Sequence, residues 1–299
     1  MEKISILHLI TPAKNVSPFD VNMAYDAGFD RVVPYTNVTL DEVVALTQDA
    51  IFSRSSSGVK REGIFIGGRD IDLAIQMLDL CKGAMFNPFA CSLFADPSGA
   101  FTTAAAMVAK VEFHLRQHFG LDLGGKILSV FGASGPLGGC AAIIAAQQGA
   151  VVQLVAHHAS AQLEQKAKAW NAQYQINLEV VDGISEPAKI QLLESADIVL
   201  CAAPVGVEVL SSAHLSCAKR LKVVADVNAV APLGVAGVAT NADGVQIHAS
   251  AAFGIGALAI GQLKYKTQQQ LLQQMLRADT PQVFEFESAF KLARALLVN

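Results

Sequence analysis

The run Lys126-Ile127-Leu128-Ser129-Val130-Phe131-Gly132-Ala133-Ser134-Gly135-Pro136-Leu137-Gly138-Gly139 constrains this chain more than any other segment. An apolar strand leads into a turn with glycine at every third position. An alanine-rich helix is expected over 140–147 and a second strand over 149–156. Strand, turn, helix and strand in that order, within about 30 residues, are the plan of a dinucleotide pyrophosphate site. Glycines let backbone N–H groups approach the phosphates, and the helix N-terminus adds positive potential. The glycine string alone is weak, since an ordinary tight turn between strand and helix has the same spacing; the ordered context makes it specific.

Bulk properties set the bounds. A chain of 299 residues, 52% hydrophobic, can bury a large core and is long enough for two domains. With a formal charge of −4 and no long basic run, nucleic acid is not an expected partner. The five cysteines, Cys81, Cys91, Cys140, Cys201 and Cys217, are widely spaced in apolar runs, with no C-x-x-C pair and no Cys/His cluster of metal spacing. They read as buried free thiols in a reducing cytoplasm, and no metal is expected. The opening residues, with Glu2 and a short apolar run ending at Pro12, read as a first strand, not a signal peptide. No stretch reaches the ~18 apolar residues of a membrane span, so a soluble protein is expected.

Along the chain, strands are expected at 4–10, 31–34, 51–53, 63–66 and 89–94, and helices at 19–27, 40–48 and 70–82. Thr39 suits a helix N-cap, with Asp41 and Glu42 in the first turn. An alanine-rich helix from Thr102 to about Gln117 has the length of a connector. Beyond Lys126 strands and helices alternate regularly: helix 159–173, strand 178–181, helix 187–194, and strands 197–202 and 221–226. Such alternation implies a mostly parallel sheet covered on both faces. The fold class is therefore α/β, with two α/β domains, the second a doubly wound parallel sheet. The expected division gives residues 1–118 and a returning C-terminal segment of about 268–299 to one domain and 119–267 to the other.

Cofactor choice rests on the end of the second strand. An acid there takes the ribose 2′-OH of NAD, whereas a basic residue faces the 2′-phosphate of NADP. This chain has Val155-Ala156-His157-His158 and no carboxylate before Glu164, which favours NADP over NAD, with dual use as the alternative. His157 or His158 could donate to a phosphate, or both could simply cap the strand at the surface.

Further strings point one way. They include Phe19-Asp20-Val21, Tyr35-Thr36-Asn37-Val38-Thr39, Gly67-Gly68-Arg69-Asp70, Phe86-Asn87-Pro88-Phe89, Asp96-Pro97-Ser98-Gly99-Ala100-Phe101-Thr102-Thr103 and Ala133-Ser134-Gly135-Pro136-Leu137-Gly138. Later come Ala225-Asp226-Val227-Asn228-Ala229 and Gly256-Ala257-Leu258-Ala259-Ile260-Gly261-Gln262-Leu263-Lys264-Tyr265-Lys266. In order and almost end to end, these resemble the methylene-tetrahydromethanopterin dehydrogenases of methylotrophic bacteria. Three positions depart from the family pattern: Ala133 replaces the first glycine of the turn, Phe101 replaces a polar residue, and the His pair replaces a basic residue after the second strand.

The resemblance implies a pterin-binding N-terminal domain, a Rossmann domain and a cleft where hydride passes from the methylene carbon of the C1 carrier to nicotinamide. It implies Lys264 as the cleft cation acting in catalysis, with Lys266 the alternative, and Asp20, Asp96, Thr102 and Thr103 as polar contacts to the pterin. Asp20 and Thr102 could equally be helix caps. The dinucleotide would lie on Gly132, Ala133, Ser134, Gly135, Pro136, Leu137, Gly138, His157 and His158, on Ala202, Ala203 and Pro204 after a buried strand, and on Asn228 after the next. Hydride release needs no nucleophile, metal or strong acid, because the flanking nitrogen lone pairs stabilise the methenyl cation. Three other readings compete. The C1 carrier could be tetrahydrofolate. A dehydrogenase of the shikimate type would favour more arginine than Arg31, Arg54, Arg61 and Arg69 in the first domain. A non-catalytic NADP- or pterin-binding protein is the third. Alanine- and glycine-rich helices suggest a homo-oligomer.

Overall fold

A computed structural model describes residues 4–157, 161–248 and 250–298. In chain order the elements are β1 (Ile6–Ile10), α1 (Pro18–Ala27), β2 (Arg31–Tyr35), α2 (Leu40–Phe52), β3 (Glu62–Ile66), α3 (Ile71–Ala84), β4 (Ser92–Ala95) and α4 (Ala100–Phe119). Next come β5 (Ile127–Phe131), α5 (Pro136–Gln147), β6 (Val151–Ala156), α6 (Ala161–Tyr174), β7 (Leu178–Asp182), α7 (Glu186–Ser195), β8 (Ile198–Cys201), α8 (Ser212–Cys217) and β9 (Val223–Asp226). The last are β10 (Asp243–Gln246), β11 (Phe253–Ile255), α9 (Ala257–Arg277), β12 (Val283–Phe284) and α10 (Phe286–Val298).

The chain divides into two compact units, one of Met1–Thr102 with Tyr265–Ala289 and the other of Thr103–Lys264 with Phe290–Asn299. The divisions fall inside α4, α9 and α10, whereas the expected division lies at 118/119 and 267/268 and keeps the whole C-terminal segment with the first domain.

Unit 1 is a five-stranded parallel sheet in the order β12-β4-β3-β1-β2. Its central strands are buried: Leu7, Leu9, Ile64, Phe65, Leu93 and Phe94 are at most 1% exposed. Phe65 and Phe94 meet edge to face at 5.2 Å between centroids. The strand expected at 51–53 is instead helix, because α2 runs on to Phe52. A capping box between Thr39 and Glu42 starts that helix, and Val43, Thr47, Ala50 and Ile51 carry one buried stripe of helical period to its end. The short apolar run at its end reads equally as strand, and the stripe decides for helix.

Unit 2 is a seven-stranded sheet in the order β10-β11-β9-β8-β5-β6-β7, parallel except for the β10–β11 pair. The chain leaves β5 towards β6 on one side and reaches β8 on the other. The carboxyl ends of β5 and β8 are therefore the switch point where doubly wound sheets bind ligands. Helix α8, six residues long, and the short, glycine-interrupted strands β10 and β11 carry no periodic signal in the sequence. Four cysteines are buried free thiols; Cys217, which the apolar context suggested would be buried, ends the six-residue α8 at the surface.

At the amino end of this sheet Asp197 is nearly buried, accepting from Lys222 Nζ at 2.7 Å and from the Ile127 N–H at 3.1 Å. Burial pushes its carboxyl up, but the Lys222 ammonium and the Ile127 N–H outweigh that and hold it below its usual range. A depressed folded value contributes stability that is present above the unfolded pKa of about 3.9 and lost as pH falls through the folded one. Asp197→Asn should lower the melting temperature at pH 7 and flatten its fall between about pH 5 and 2. Unfolding curves across that range check it, and an unchanged acid limb would contradict it.

Candidate dinucleotide site and buried carboxylates

The glycine turn joins β5 to α5. Gly132 has φ +79°, and a Cβ there would overlap the carbonyl oxygen of Ala202, the residue after β8. A Cβ on Gly138 would overlap the Gly132 carbonyl. The turn closes through Gly135 N–H to Gly132 O at 3.1 Å and Gly139 N–H to Gly135 O at 3.0 Å. Helix α5 begins at Pro136, not at 140 as expected, with Gly135 as N-cap. Proline suits the first helical position because its missing N–H would have no partner there. Gly138 and Gly139 thus lie in the first turn of the helix, with small residues that let the turn pack onto β5 and β8. Ala133 is buried, whereas Ser134 and Pro136 are exposed and Leu137 half-buried.

In front of this turn is a cavity of about 390 Å³. Gly132, Ala133 and Ser134 form its floor, His157 follows β6, Gly183 follows β7, and Ala203 and Pro204 follow β8. Among the anticipated cofactor residues, Gly135 and Gly138 hold the turn in place, Ala202 is the close neighbour of Gly132, and Leu137 lies in the first turn of α5 outside the lining. His158 lies outside the described residues. Asn228 faces elsewhere: its Oδ1 accepts from Val230 N–H at 3.1 Å and its Nδ2 donates to Pro232 O at 3.3 Å. Beside it the buried Asp226 accepts from the Asn228 and Val235 N–H groups, which ties the loop after β9 into a closed knot. Burial pushes Asp226 up, and it pushes the neighbouring Cys201 thiol up to about 12. Both are structural groups.

The sequence reading missed Gln162 and Leu163 of α6, Lys189 of α7 and Glu208, all of which line the cavity. These come from helices and loops whose approach is set by tertiary packing, and no local spacing marks them. Lys189 Nζ is paired with Glu186 at 3.0 Å, and the second oxygen of Glu186 meets His214 Nε2 at 2.5 Å.

In unit 1 two anticipated carboxylates are buried and hydrogen-bonded. Asp20 is not the cap of α1; Ser17 is, accepting from the Asp20 N–H. Asp20 Oδ1 instead accepts from Nε2 of the fully buried Gln268 at 2.9 Å. Gln268 was missed; the hint is its spacing of four from Lys264 on α9. Asp96, at the end of β4, accepts from the Thr102 N–H at 3.1 Å and the Thr102 hydroxyl at 2.6 Å. Thr102 is therefore the third residue of α4 and no N-cap, and the pair ties the start of that helix to the sheet. Thr103 and Lys264, in unit 2, are half-buried, and Lys266, in unit 1, is exposed.

The chain matches the N-terminal domain of methylene-tetrahydromethanopterin dehydrogenase over residues 18–98. It is 45% identical over 289 residues, 97% of each chain, to the NAD(P)-dependent methylenetetrahydromethanopterin dehydrogenase of Methylorubrum extorquens. The chain belongs to this dehydrogenase family. A second relative from the same organism, the bifunctional protein MdtA, is 31% identical over 280 residues, 94% of each chain. Among solved structures, shikimate 5-dehydrogenase from Listeria monocytogenes, in complex with shikimate and NAD, aligns over 98% of this chain and 96% of that one with a TM-score of 0.52. At 13% identity that likeness shows the fold, a Rossmann-type α/β architecture that this family member shares.

The contact between Gly132 and Ala202 gives a stability prediction. Gly132→Ala should destabilise the protein by about 2 kcal/mol or more, since it adds strain at positive φ to a backbone overlap. Gly124→Ala, where an added methyl meets nothing within 4 Å, should be nearly neutral. Urea unfolding of both variants checks this; equal losses would contradict it.

Proposed function

We propose that this chain is an NAD(P)-dependent oxidoreductase that removes hydride from N5,N10-methylene-tetrahydromethanopterin to give the methenyl form, in C1 oxidation. Family membership along nearly the whole chain is the observation that carries the reading. The dinucleotide falls to unit 2, where Gly132 and Gly138 let the turn close on the backbone after β8 and the cavity lies in front of it. The pterin falls to unit 1, with Asp20 and Asp96 as its anchoring carboxylates and Thr102 and Thr103, in the first turn of α4, as further polar contacts. Bound NAD(P) supplies the hydride acceptor.

The chain's own groups bind and orient. First-turn N–H groups of α5 and the turn backbone take the pyrophosphate. Ala203 and Pro204, apolar and at the carboxyl edge of β8, give a dry wall to the cofactor channel. Gln268 holds Asp20, and Thr102 holds Asp96, so that each carboxylate keeps one orientation. Lys264 is assigned the cation that orients the pterin and tunes the nitrogens flanking the methylene carbon. The reaction asks chiefly for a near-attack contact and the exclusion of water.

The assembly is proposed to be a homo-oligomer working in the cytoplasm. Exposed Phe52 and Phe86, packed with Phe89 at 5.4–6.0 Å, form an apolar patch of the kind that marks contact surfaces. Among the described residues no helix is long and apolar enough to cross a membrane.

The test is absorbance at 340 nm with methylene-tetrahydromethanopterin or methylene-tetrahydrofolate and either dinucleotide. Turnover is expected with the methanopterin. Lys264→Ala should lower kcat by about 10²-fold while leaving dinucleotide Kd within about twofold, and Lys266→Ala should stay near wild type. Absence of turnover with either carrier would overturn the reading, and loss in Lys266→Ala alone would move the cation.

A further inference from the structure

We propose that Lys166, in the second turn of α6, reads the adenosine 2′-phosphate and thereby favours NADP over NAD. This rests on the dinucleotide site proposed above and deepens it. The position normally used, just after the second strand of the Rossmann unit, holds no lysine or arginine in this chain: Ala156 is followed by His157 and His158. A cation reaches the glycine turn instead, from further along the chain. Lys166 Nζ donates to the carbonyl of Ser134, in the glycine turn itself, at 3.2 Å.

Four observations argue that this lysine serves a ligand. Gln162 and Leu163, one turn earlier on α6, line the cavity, and residues three and four apart share a helix face. The ammonium stands 5.8 Å from the centroid of Trp170, which is itself 1% exposed and packed against Gly139, so the stem has a fixed platform. A carbonyl and an aromatic face orient the ammonium without cancelling its charge. Lys189, the lysine that lines the cavity itself, is already paired with Glu186, whereas Lys166 stands beside the cavity at the Ser134 carbonyl.

The opposing charges near the site do not fill the NAD role. Asp182, at the end of β7, has its Oδ1 turned to the Ile184 N–H at 2.9 Å. Glu208 lines the cavity from the loop after β8, not from the end of β6. A carboxylate at the end of β6 would take a 2′-OH and repel a phosphate, and that strand ends without one. Lysine meets phosphate as a point charge, with a stem long enough to turn from a carbonyl to an incoming anion. The exposed Ser134, whose carbonyl accepts from Lys166, itself lines the cavity.

The test uses 2′,5′-ADP and 5′-AMP, which differ only in this phosphate, together with NADP and NAD, titrated calorimetrically into the full chain. Wild type should prefer 2′,5′-ADP to 5′-AMP, and the preference should shrink as salt rises. Lys166→Met, which keeps the stem over Trp170, should weaken 2′,5′-ADP and NADP by about tenfold or more, while 5′-AMP and NAD change by less than about twofold. Lys166→Arg should keep the preference, and it guards against a methionine variant that fails to fold. Equal weakening of all four ligands would make Lys166 a support of the turn and overturn the proposal. So would an unchanged preference, a wild type with no preference, or loss of preference in Lys189→Met instead. Dinucleotide binding with these differences but no turnover would overturn the proposed reaction and leave this assignment standing; failure to bind any of the four would sink both.

Discussion

Between the carboxyl ends of β5 and β8 there is room for backbone only. Gly132 faces the Ala202 carbonyl so closely that no side chain can stand between them, and Gly138 is pressed on Gly132 in the same way. This close approach fixes where α5 starts and points its first-turn N–H groups at the space in front of the sheet. It also sets the depth of the 390 Å³ cavity, because Ala203 and Pro204 continue directly from the residue that Gly132 touches. Further back, Gly139 leaves room for Trp170, and Trp170 in turn carries Lys166. One tight contact between two strand ends therefore propagates into the position of a cation on another helix.

The chemistry asked of the site suits what surrounds it. The cavity is lined mainly by backbone and apolar side chains, with His157, Lys189 and Glu208 as its ionisable members. Hydride transfer from a carbon flanked by two nitrogens needs positioning and dryness more than acid–base groups. Burial pushes the nearby Cys201 thiol up to about 12 and raises Asp226, whose carboxylate holds the loop after β9. Their role is to make the wall rigid. In unit 1 the same economy holds: Asp20 and Asp96 are buried carboxylates held by Gln268 and by the Thr102 backbone and hydroxyl.

Much of this was legible in the sequence where the signal is local. The turn from Gly132 to Gly138, the strands either side of it and the mostly parallel order of unit 2 follow from hydrophobic runs and glycine spacing. Helix α5 starts four residues before the expected position, because Gly138 and Gly139 look like turn residues until their packing against Gly132 and Trp170 is seen. The strand expected at 51–53 failed because a short apolar run is ambiguous without the stripe that continues it from Val43. Side chains delivered by tertiary packing were not legible at all. Gln268 reaches Asp20 across 248 positions, and Lys166 reaches Ser134 across 32. Asn228 follows a strand as binding residues do, yet its amide is used within its own loop.

The most direct measurement follows the hydrogen itself. With methylene-tetrahydromethanopterin carrying deuterium on the methylene carbon, the purified chain should yield reduced nicotinamide bearing one deuterium at C4, with none lost to solvent, as read by mass spectrometry and NMR. Unlabelled reduced nicotinamide, or deuterium released to water, would mean that the carbon and the nicotinamide do not exchange hydride directly, and would contradict the account at its centre.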